Sequence, residues 1–168
     1  GETSLGDGTM VSKNSIRIKT VGLLDEVNAR VGHAIVKSPN KNISESLKGI
    51  QNNLFNIGGE LALGEKAQPV FSDENVKEIE LSIEKLNNQL PPLADFILPG
   101  GDEFNSRLHL ARTATRQTEI SIFSLKENEV VRDSLCVYMN RLSDYFFVLA
   151  RCHSVENKIP EDVWKHKK

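Results

Sequence analysis

The 168-residue sequence has few of the features that mark disulfide-rich, metal-binding or nucleic-acid-binding proteins. Its only cysteines are Cys136 and Cys152, which give neither a disulfide framework nor metal-ligand spacing. We therefore predict a reducing compartment, with both thiols packed as small apolar groups. The formal net charge of -2 argues against broad binding to nucleic acid, because such binding needs a cationic surface.

Long apolar runs and targeting signals are also missing. The longest obvious apolar run is YFFVLA, well short of the roughly 18 residues of a membrane span. A secretory signal is absent, so we expect a cytoplasmic protein with no membrane partner, or a mitochondrial-matrix protein in a eukaryote. The length suits one domain spanning residues 1–168. The sequence opens on GETSLGDGT without an initiator methionine, and we expect further residues upstream.

The common nucleotide and metal motifs are absent. The sequence contains no Walker loop and no G-x-G-x-x-G, and no glutamate has a histidine three residues later, as a di-iron bundle would need. Its four histidines show no metal spacing and are interpreted as packing or surface residues. They are His33, His109, His153 and His166. No metal site is predicted.

Hydrophobic periodicity predicts an all-α bundle of five helices. Residues 1–16 have loop composition, and the helices are expected at about 20–37, 44–63, 72–90, 103–125 and 130–155. Ser44 is the expected cap of the second helix, and Ser72 or Asp73 that of the third. No strand alternation is convincing. A polar tail, residues 157–168, is expected to form a short ordered turn and then fray.

Two irregular features interrupt this pattern. Gly58 and Gly59 lie inside the second helix, at a cost of about 1 kcal/mol each relative to alanine, which either close approach of another helix or a kink would explain. The segment PPLADFILPGGDE combines three prolines and a glycine pair with apolar side chains. An apolar loop of this kind either packs on the body of the protein or contacts a ligand.

Charged residues recur on single helix faces. Arg112, Arg116 and Glu119 are spaced by four and three residues, which places them on one face. This face is either a solvated helix side with polar contacts or a ligand-binding surface. The next helix adds polar residues beside its apolar stripe, and these need partners. They are Asn140, Arg141 and Asp144. Asp25 and Glu26, placed in the first turns of the first helix, either favour the helix dipole or serve a site.

Several blocks of sequence together resemble one family. GETSL, GLLDEVN, LFNIGGELA, DFILPGG, LHLARTATRQTE and YMNRLSDYFFVLAR occur in this order, from Gly1 to about Arg151. The sequence resembles the PduO-type ATP:cob(I)alamin adenosyltransferases. The resemblance implies a five-helix bundle that forms a homotrimer, with ATP between two subunits. The implied reaction transfers the 5'-deoxyadenosyl group of ATP to cobalt of a reduced corrinoid, giving adenosylcobalamin and triphosphate with the help of Mg²⁺.

The resemblance also implies roles for individual residues. Asp25 and Arg112 match an acid and an arginine that pair across subunits. Phe96 matches an aromatic residue on the lower face of cobalt, with Ile97 and Leu98 beside it in the corrinoid site. The implied ATP-binding residues lie in the N-terminal loop, residues 1–19, and on the last two helices. They are Gly1, Thr3, Ser4, Lys13, Arg116, Glu119 and Asn140. A reductase and an adenosylcobalamin-dependent enzyme are the implied partners.

The sequence departs from the family pattern at several positions. The usual opening Thr-Gly-Asp-x-Gly is represented only by Gly1, and Gln117 and Ile120 stand where arginines are common. Three hypotheses therefore remain: an active adenosyltransferase, a weakened relative that holds or delivers adenosylcobalamin, and a structural bundle whose polar faces only join subunits.

Overall fold

The computed structural model describes residues 1–166, which form five α-helices, one β-hairpin and one turn of 3-10 helix. The predicted all-α five-helix bundle is confirmed. Its helices are α1 (Ile16–Ile35), α2 (Lys41–Leu63), α3 (Asp73–Asn87), α4 (Glu103–Lys126) and α5 (Asp133–Glu156). Within the described part of the chain, none of these helices has the length and apolar character needed to cross a membrane.

The starts of the first two helices differ from the prediction. Helix α1 begins four residues early because Ser15 caps it: the Ser15 hydroxyl accepts from the Ile18 N–H at 3.3 Å. The predicted cap Ser44 was wrong. Asn40 caps α2 by accepting from the Ile43 N–H at 2.9 Å, and Ser44 lies inside the helix. Ser72 caps α3, as expected.

The early start of α1 changes the interpretation of its acids. Asp25 lies nine residues into the helix, so it is not in the first turn, where the helix dipole favours negative charge. Glu26 instead pairs with Arg30 at 2.8 Å on the helix surface. Asp25 is exposed and forms no ion pair with any residue between 1 and 166.

An N-terminal β-hairpin was missed by the sequence analysis. Strand β1 (Glu2–Ser4) pairs antiparallel with β2 (Met10–Ser12), with Thr3 opposite Val11. Strands of three residues are too short to display the alternation that identifies a strand. Gly8 closes the turn with φ 87°, a conformation that favours glycine. The Gly6 N–H donates to the Ala62 carbonyl at 3.1 Å, which fixes the hairpin against the end of α2.

The core lies between α1, α2, α4 and α5, while α3 packs on α5. Its largest side chains with almost no exposure include Phe104, Phe146, Leu108, Leu135 and Tyr138. Cys136 and Cys152 are both free and buried, which confirms that the thiols are packed among apolar groups. Between α1 and α4, the Thr20 and Ser121 hydroxyls bond at 2.7 Å and so satisfy two buried polar groups.

The glycine pair of α2 does not serve packing within the protomer. Helix α2 continues through Gly58 and Gly59, and a Cβ added to either residue would meet no atom within 4 Å. Close approach of another helix of the same chain is therefore not the reason for these glycines. Both line an open groove between α1 and α2, together with Asp25 and the exposed ring of Phe55.

A buried arginine joins the irregular segment after α3 to the C-terminal tail. Arg151 donates from Nε to the Glu161 carboxylate at 3.0 Å, and from Nη1 and Nη2 to the Pro91 carbonyl at 3.3 Å. The two segments meet again at an isolated antiparallel bridge between Ile97 and Val163. The tail up to that point is therefore ordered as a partner of the loop, beyond the short turn that composition predicted.

Candidate functional site

A cavity of about 700 Å³ lies between the loop 93–99, helix α4 and helix α5. Apolar side chains form one side, among them Leu93, Phe96, Ile97 and Phe147. Charged and polar side chains form the other, among them His109, Arg112, Arg116 and Asp144. A cavity with one apolar and one cationic side suits a ligand, or two ligands together, that present both a flat apolar surface and negative charge.

Phe96 is 75% exposed, yet its backbone is firmly held. The Phe96 carbonyl accepts from the Trp164 N–H at 2.8 Å, and the Leu98 N–H donates to the Asp162 carbonyl at 2.7 Å. Asp95 accepts from the Phe96 N–H at 2.8 Å. The ring is thus presented by an ordered loop, as a largely exposed aromatic group at the edge of the cavity. Ile97 lines the cavity as well, whereas Leu98 does not.

The two arginines that α4 contributes to the cavity, Arg112 and Arg116, have no carboxylate partner among residues 1–166. Arg112 is half-buried, and its Nε donates to His109 Nδ1 at 3.1 Å. Burial, and then the positive charge of Arg116, lower the pKa of Arg112, but an arginine remains protonated at neutral pH. Two guanidinium groups one helical turn apart therefore place positive charge on this side of the cavity, and Asp95 and Asp144, which also line the cavity, pair with neither of them.

Glu119 and Asn140 are brought together outside the cavity lining. The Asn140 amide donates to the Glu119 carboxylate at 3.0 Å, which links α4 to α5. Arg141 has carboxylate partners within the chain, Glu80 at 3.2 Å and Asp144 at 3.5 Å. The paired state of Arg141 contrasts with the unpaired state of the two arginines in the cavity.

The N-terminal candidates Gly1, Thr3, Ser4 and Lys13 lie together on and beside the hairpin. The Lys13 N–H donates to the Gly1 carbonyl at 3.0 Å, and the Lys13 side chain passes beside Gly1. The hairpin is attached to the end of α2, and none of these residues lines the cavity. Asp25 faces the separate groove between α1 and α2. One protomer therefore gathers only part of the predicted site.

The departures Gln117 and Ile120 also have a definite place. They line a shallow groove between α1 and α4, where Lys19 is the cation among the lining residues. Ile120 is largely exposed. An exposed apolar side chain and an amide at this position leave the groove with less positive charge than two arginines would give.

His109, Phe147 and Trp164 lie in or beside the cavity, although none of them was predicted as a site residue. His109 was interpreted as a packing or surface residue, although its position three residues before Arg112 places both on one face of α4. Phe147 was assigned to an apolar stripe, and it lines the cavity. Trp164 was assigned to the tail, yet its ring centroid lies 6.3 Å from that of Phe96. No local pattern identifies that contact.

Comparison with known proteins places the chain in a family. The family model for cobalamin adenosyltransferases matches residues 1–153. A corrinoid adenosyltransferase of Bacillus subtilis is 36% identical over 156 residues, which cover 90% of this chain and 80% of the relative. A cobalamin adenosyltransferase of Cupriavidus metallidurans is 37% identical over 153 residues, covering 90% of this chain and 82% of the relative.

Solved structures agree with these relatives. A phenylalanine-to-alanine variant of the PduO-type ATP:corrinoid adenosyltransferase from Lactobacillus reuteri, complexed with cobalamin and ATP, superposes with a TM-score of 0.93 at 31% identity. The match covers 99% of this chain and 95% of that chain. The resemblance predicted from the sequence blocks is thereby confirmed, and the chain belongs to the cobalamin adenosyltransferase family.

Proposed function

We infer that this chain transfers the 5'-deoxyadenosyl group of ATP to the cobalt of a reduced corrinoid, giving adenosylcobalamin and triphosphate. The observation that carries this inference is a single cavity with an apolar side bearing Phe96 and a cationic side bearing Arg112 and Arg116. A corrin ring offers broad apolar faces, whereas ATP offers phosphate oxygens. The family's named activity joins the same two substrates.

The cationic side of the cavity fits the leaving group of this reaction. The electron pair of cobalt(I) forms the new bond to C5' of the ribose, and the bond from C5' to the phosphate oxygen breaks. The triphosphate leaves with that electron pair, so fixed positive charge stabilises the transition state. We assign this role to Arg116, because its planar guanidinium matches phosphate oxygens and has no competing carboxylate within residues 1–166.

Mg²⁺ is proposed to enter the site together with ATP. Residues 1–166 contain no group of three or more histidine, cysteine or acidic side chains that could hold a metal ion. Mg²⁺ prefers oxygen ligands and is commonly bound through substrate phosphates with few protein ligands. In this protein the phosphate oxygens of ATP would provide most of its coordination, and the ion would offset charge on the departing triphosphate.

The complete site is proposed to form between two copies of the chain in a homotrimer. Asp25 and Lys13 have no ion-pair partner within residues 1–166, and neither do the cavity arginines. Asp25 of one copy would pair with Arg112 of the next, with the hairpin of the first copy closing over the triphosphate. The open groove beside Asp25, with its glycine pair and the exposed Phe55, supports this contact because it leaves room for a neighbouring helix.

We further propose a cytoplasmic location, because both cysteines are free and buried, as expected in a reducing compartment. A reductase would supply cobalt in the lower oxidation state, and an adenosylcobalamin-dependent enzyme would receive the product. These partners follow from the chemistry of the substrate and product.

The test of the proposed function is anaerobic turnover with ATP, Mg²⁺ and chemically reduced cobalamin. We expect adenosylcobalamin to accumulate, seen in its visible spectrum, and triphosphate to be released in equal amount. A reaction without ATP serves as the control. A folded protein that binds ATP and corrinoid but forms no adenosylcobalamin would contradict the enzyme assignment.

A second candidate function is a relative that holds adenosylcobalamin without making it. The observation in its favour is the loss of two family arginines at Gln117 and Ile120, which leaves the α1–α4 groove with little positive charge. Corrinoid binding without any ATP-dependent change in the visible spectrum would favour this candidate. Calorimetry that detects neither ligand would favour a purely structural bundle.

Replacing Arg116 with alanine is expected to raise the dissociation constant of ATP by about ten- to 150-fold. A hydrogen bond to a charged group contributes about 1.5–3 kcal/mol, and Arg116 has no carboxylate partner in the protomer that would compete for it. Titration calorimetry with ATP and Mg²⁺ measures the change. Arg107→Ala is the matched control, because Arg107 lies on the same helix but is bound to Glu103 and the His33 carbonyl. Unchanged affinity in Arg116→Ala would show that this residue does not touch phosphate.

A further inference from the structure

We propose that His109 is a positioning residue that fixes the guanidinium group of Arg112 for adenosyl transfer. The proposal rests on the proposed function, because the reaction gives Arg112 its role. His109 lies one helical turn before Arg112 on α4, is 6% exposed and lines the same cavity. It is the group in the described chain that accepts a hydrogen bond from the Arg112 side chain, from Nε to Nδ1 at 3.1 Å.

The contact assigns the tautomer of His109. The Nε–H of arginine is always a donor, so Nδ1 must carry a free lone pair and the single ring proton must be on Nε2. Burial, and then the positive charge of Arg112, lower the pKa of His109 to about 4. His109 is therefore neutral around pH 7, and it stays an acceptor toward Arg112. The other charged groups lining the cavity are Arg116 on α4, Asp144 on α5 and Asp95 on the loop.

The contact with His109 also determines which N–H groups of the Arg112 guanidinium remain free to bind another group. A guanidinium has five N–H groups, and His109 occupies the one at Nε. The four N–H groups at Nη1 and Nη2 have no acceptor within residues 1–166. The side chain is thus held at its base, and its terminal edge is left for an acid of a neighbouring copy or for a phosphate. Holding a flexible arginine before the ligand arrives avoids the loss of rotamer freedom at that moment.

The other ring nitrogen of His109 argues against a purely space-filling role. His109 Nε2 is buried and has no hydrogen-bond partner among the described residues. An unsatisfied buried donor destabilises the folded state, and an aliphatic side chain of similar size at this position would avoid the cost. The ring also packs edge-on toward Phe147, with centroids 6.3 Å apart, which restricts its rotation. An aliphatic side chain could not accept the hydrogen bond from Arg112 that His109 accepts at Nδ1.

Two substitutions separate positioning from packing. In His109→Asn, the side-chain oxygen branches from Cγ as Nδ1 does and can accept from Arg112, whereas His109→Leu keeps the bulk and loses the acceptor. We expect kcat for adenosyl transfer to fall by about ten- to 100-fold in His109→Leu, the scale of one lost charge-assisted hydrogen bond, and by no more than about threefold in His109→Asn.

A double-mutant cycle with Arg112→Ala tests whether His109 acts through Arg112. In the Arg112→Ala background, His109→Leu should not lower kcat further. A kcat equal to that of the wild type in His109→Leu, a further loss in the double variant, or equal losses in the leucine and asparagine variants would each overturn the proposal.

A readout that needs no turnover keeps this proposal separate from the proposed function. The ¹⁵N spectrum of the wild-type protein should show a neutral His109 with its proton on Nε2, and a slowly exchanging Arg112 Nε–H. The Arg112 signal should be lost in His109→Leu and retained in His109→Asn. Retention in the leucine variant would overturn the proposal whether or not the enzyme is active. Absence of adenosylcobalamin from the wild type would count against the proposed function alone.

Discussion

Phe96→Ala is expected to lower the rate of adenosyl transfer by about two orders of magnitude while ATP affinity changes by less than about twofold. Phe96 is 75% exposed in the protomer and forms part of the apolar side of the cavity, where a corrin face would cover it. Covering a phenylalanine side chain contributes about 1.5–3 kcal/mol, or ten- to 150-fold.

A second effect adds to the loss of contact in Phe96→Ala. We propose that the ring would lie on the lower face of the cobalt of a bound corrinoid and would exclude an axial base there. Without that base the metal would be four-coordinate and its reduction to cobalt(I) easier, so the protein would tune the electronics of the corrinoid. Alanine would leave room for the base to return. The defect should therefore be smaller when cobalt(I) is generated chemically than when a reductase must generate it.

The effect of Phe96→Ala would be measured by anaerobic kinetics, once with cobalt(I) generated chemically and once with cobalt(I) generated by a reductase. Calorimetric titration with ATP would measure the change in ATP affinity. Phe123→Ala is the matched control, because Phe123 is a half-exposed aromatic residue on α4 outside the cavity lining. Wild-type turnover in Phe96→Ala would remove the proposed role of this ring, whereas a loss of ATP affinity would indicate that the ring contacts the nucleotide.

Arg151→Met is expected to lower the free energy of unfolding by about 3 kcal/mol. Arg151 is 6% exposed and binds both the Glu161 carboxylate and the Pro91 carbonyl, so its removal leaves a largely buried charge and a carbonyl without a partner. Breaking a buried ion pair by removing one partner typically costs about 3–5 kcal/mol. We expect a loss at the lower end of this range for Arg151→Met, because the Glu161 side chain retains some contact with solvent.

The measurement for Arg151 is urea-induced unfolding of the wild type and the variant. Arg141→Met is the control: its side chain is 46% exposed and its partners are exposed carboxylates, so a change within about 1 kcal/mol is expected. Arg151 connects the C-terminal tail with the loop that contains Phe96. In Arg151→Met we therefore also expect the KM for corrinoid to rise, while the Kd for ATP stays unchanged. If Arg151→Met and the wild type had equal free energies of unfolding, the proposed stabilising link through Arg151 between the loop and the tail would be wrong.

Much of the fold follows from sequence periodicity, and the exceptions have physical reasons. Five helices are long enough for their apolar stripes to be visible, and Ser72 was recognisable as a cap. Helix α1 extends back to Ile16 because Ser15, which composition assigned to a loop, provides a local hydrogen bond. The hairpin and the Ile97–Val163 bridge are formed by too few residues to leave a periodic signal.

Only some of the candidate site residues could be placed from the sequence, because helix spacing brings some of them together and not the others. Arg112 and Arg116 lie one turn apart on a helix, so their spacing alone places them on the same face. In the proposed trimer, Asp25 and Lys13 would reach the cavity of a neighbouring copy, and neither periodicity nor one folded chain can display that contact. The role of His109 depends on which of its two nitrogens accepts a hydrogen bond, and the sequence does not contain that information.

Trp164 gives the protein a built-in optical probe. It is the only tryptophan in the sequence, and it lies against Phe96 at the edge of the cavity. All indole emission therefore originates beside the place where a corrin would bind, and corrins absorb strongly in the near ultraviolet and the visible. Energy transfer to a bound corrin would quench the tryptophan fluorescence, so corrin binding to the cavity can be followed in real time on unlabelled protein.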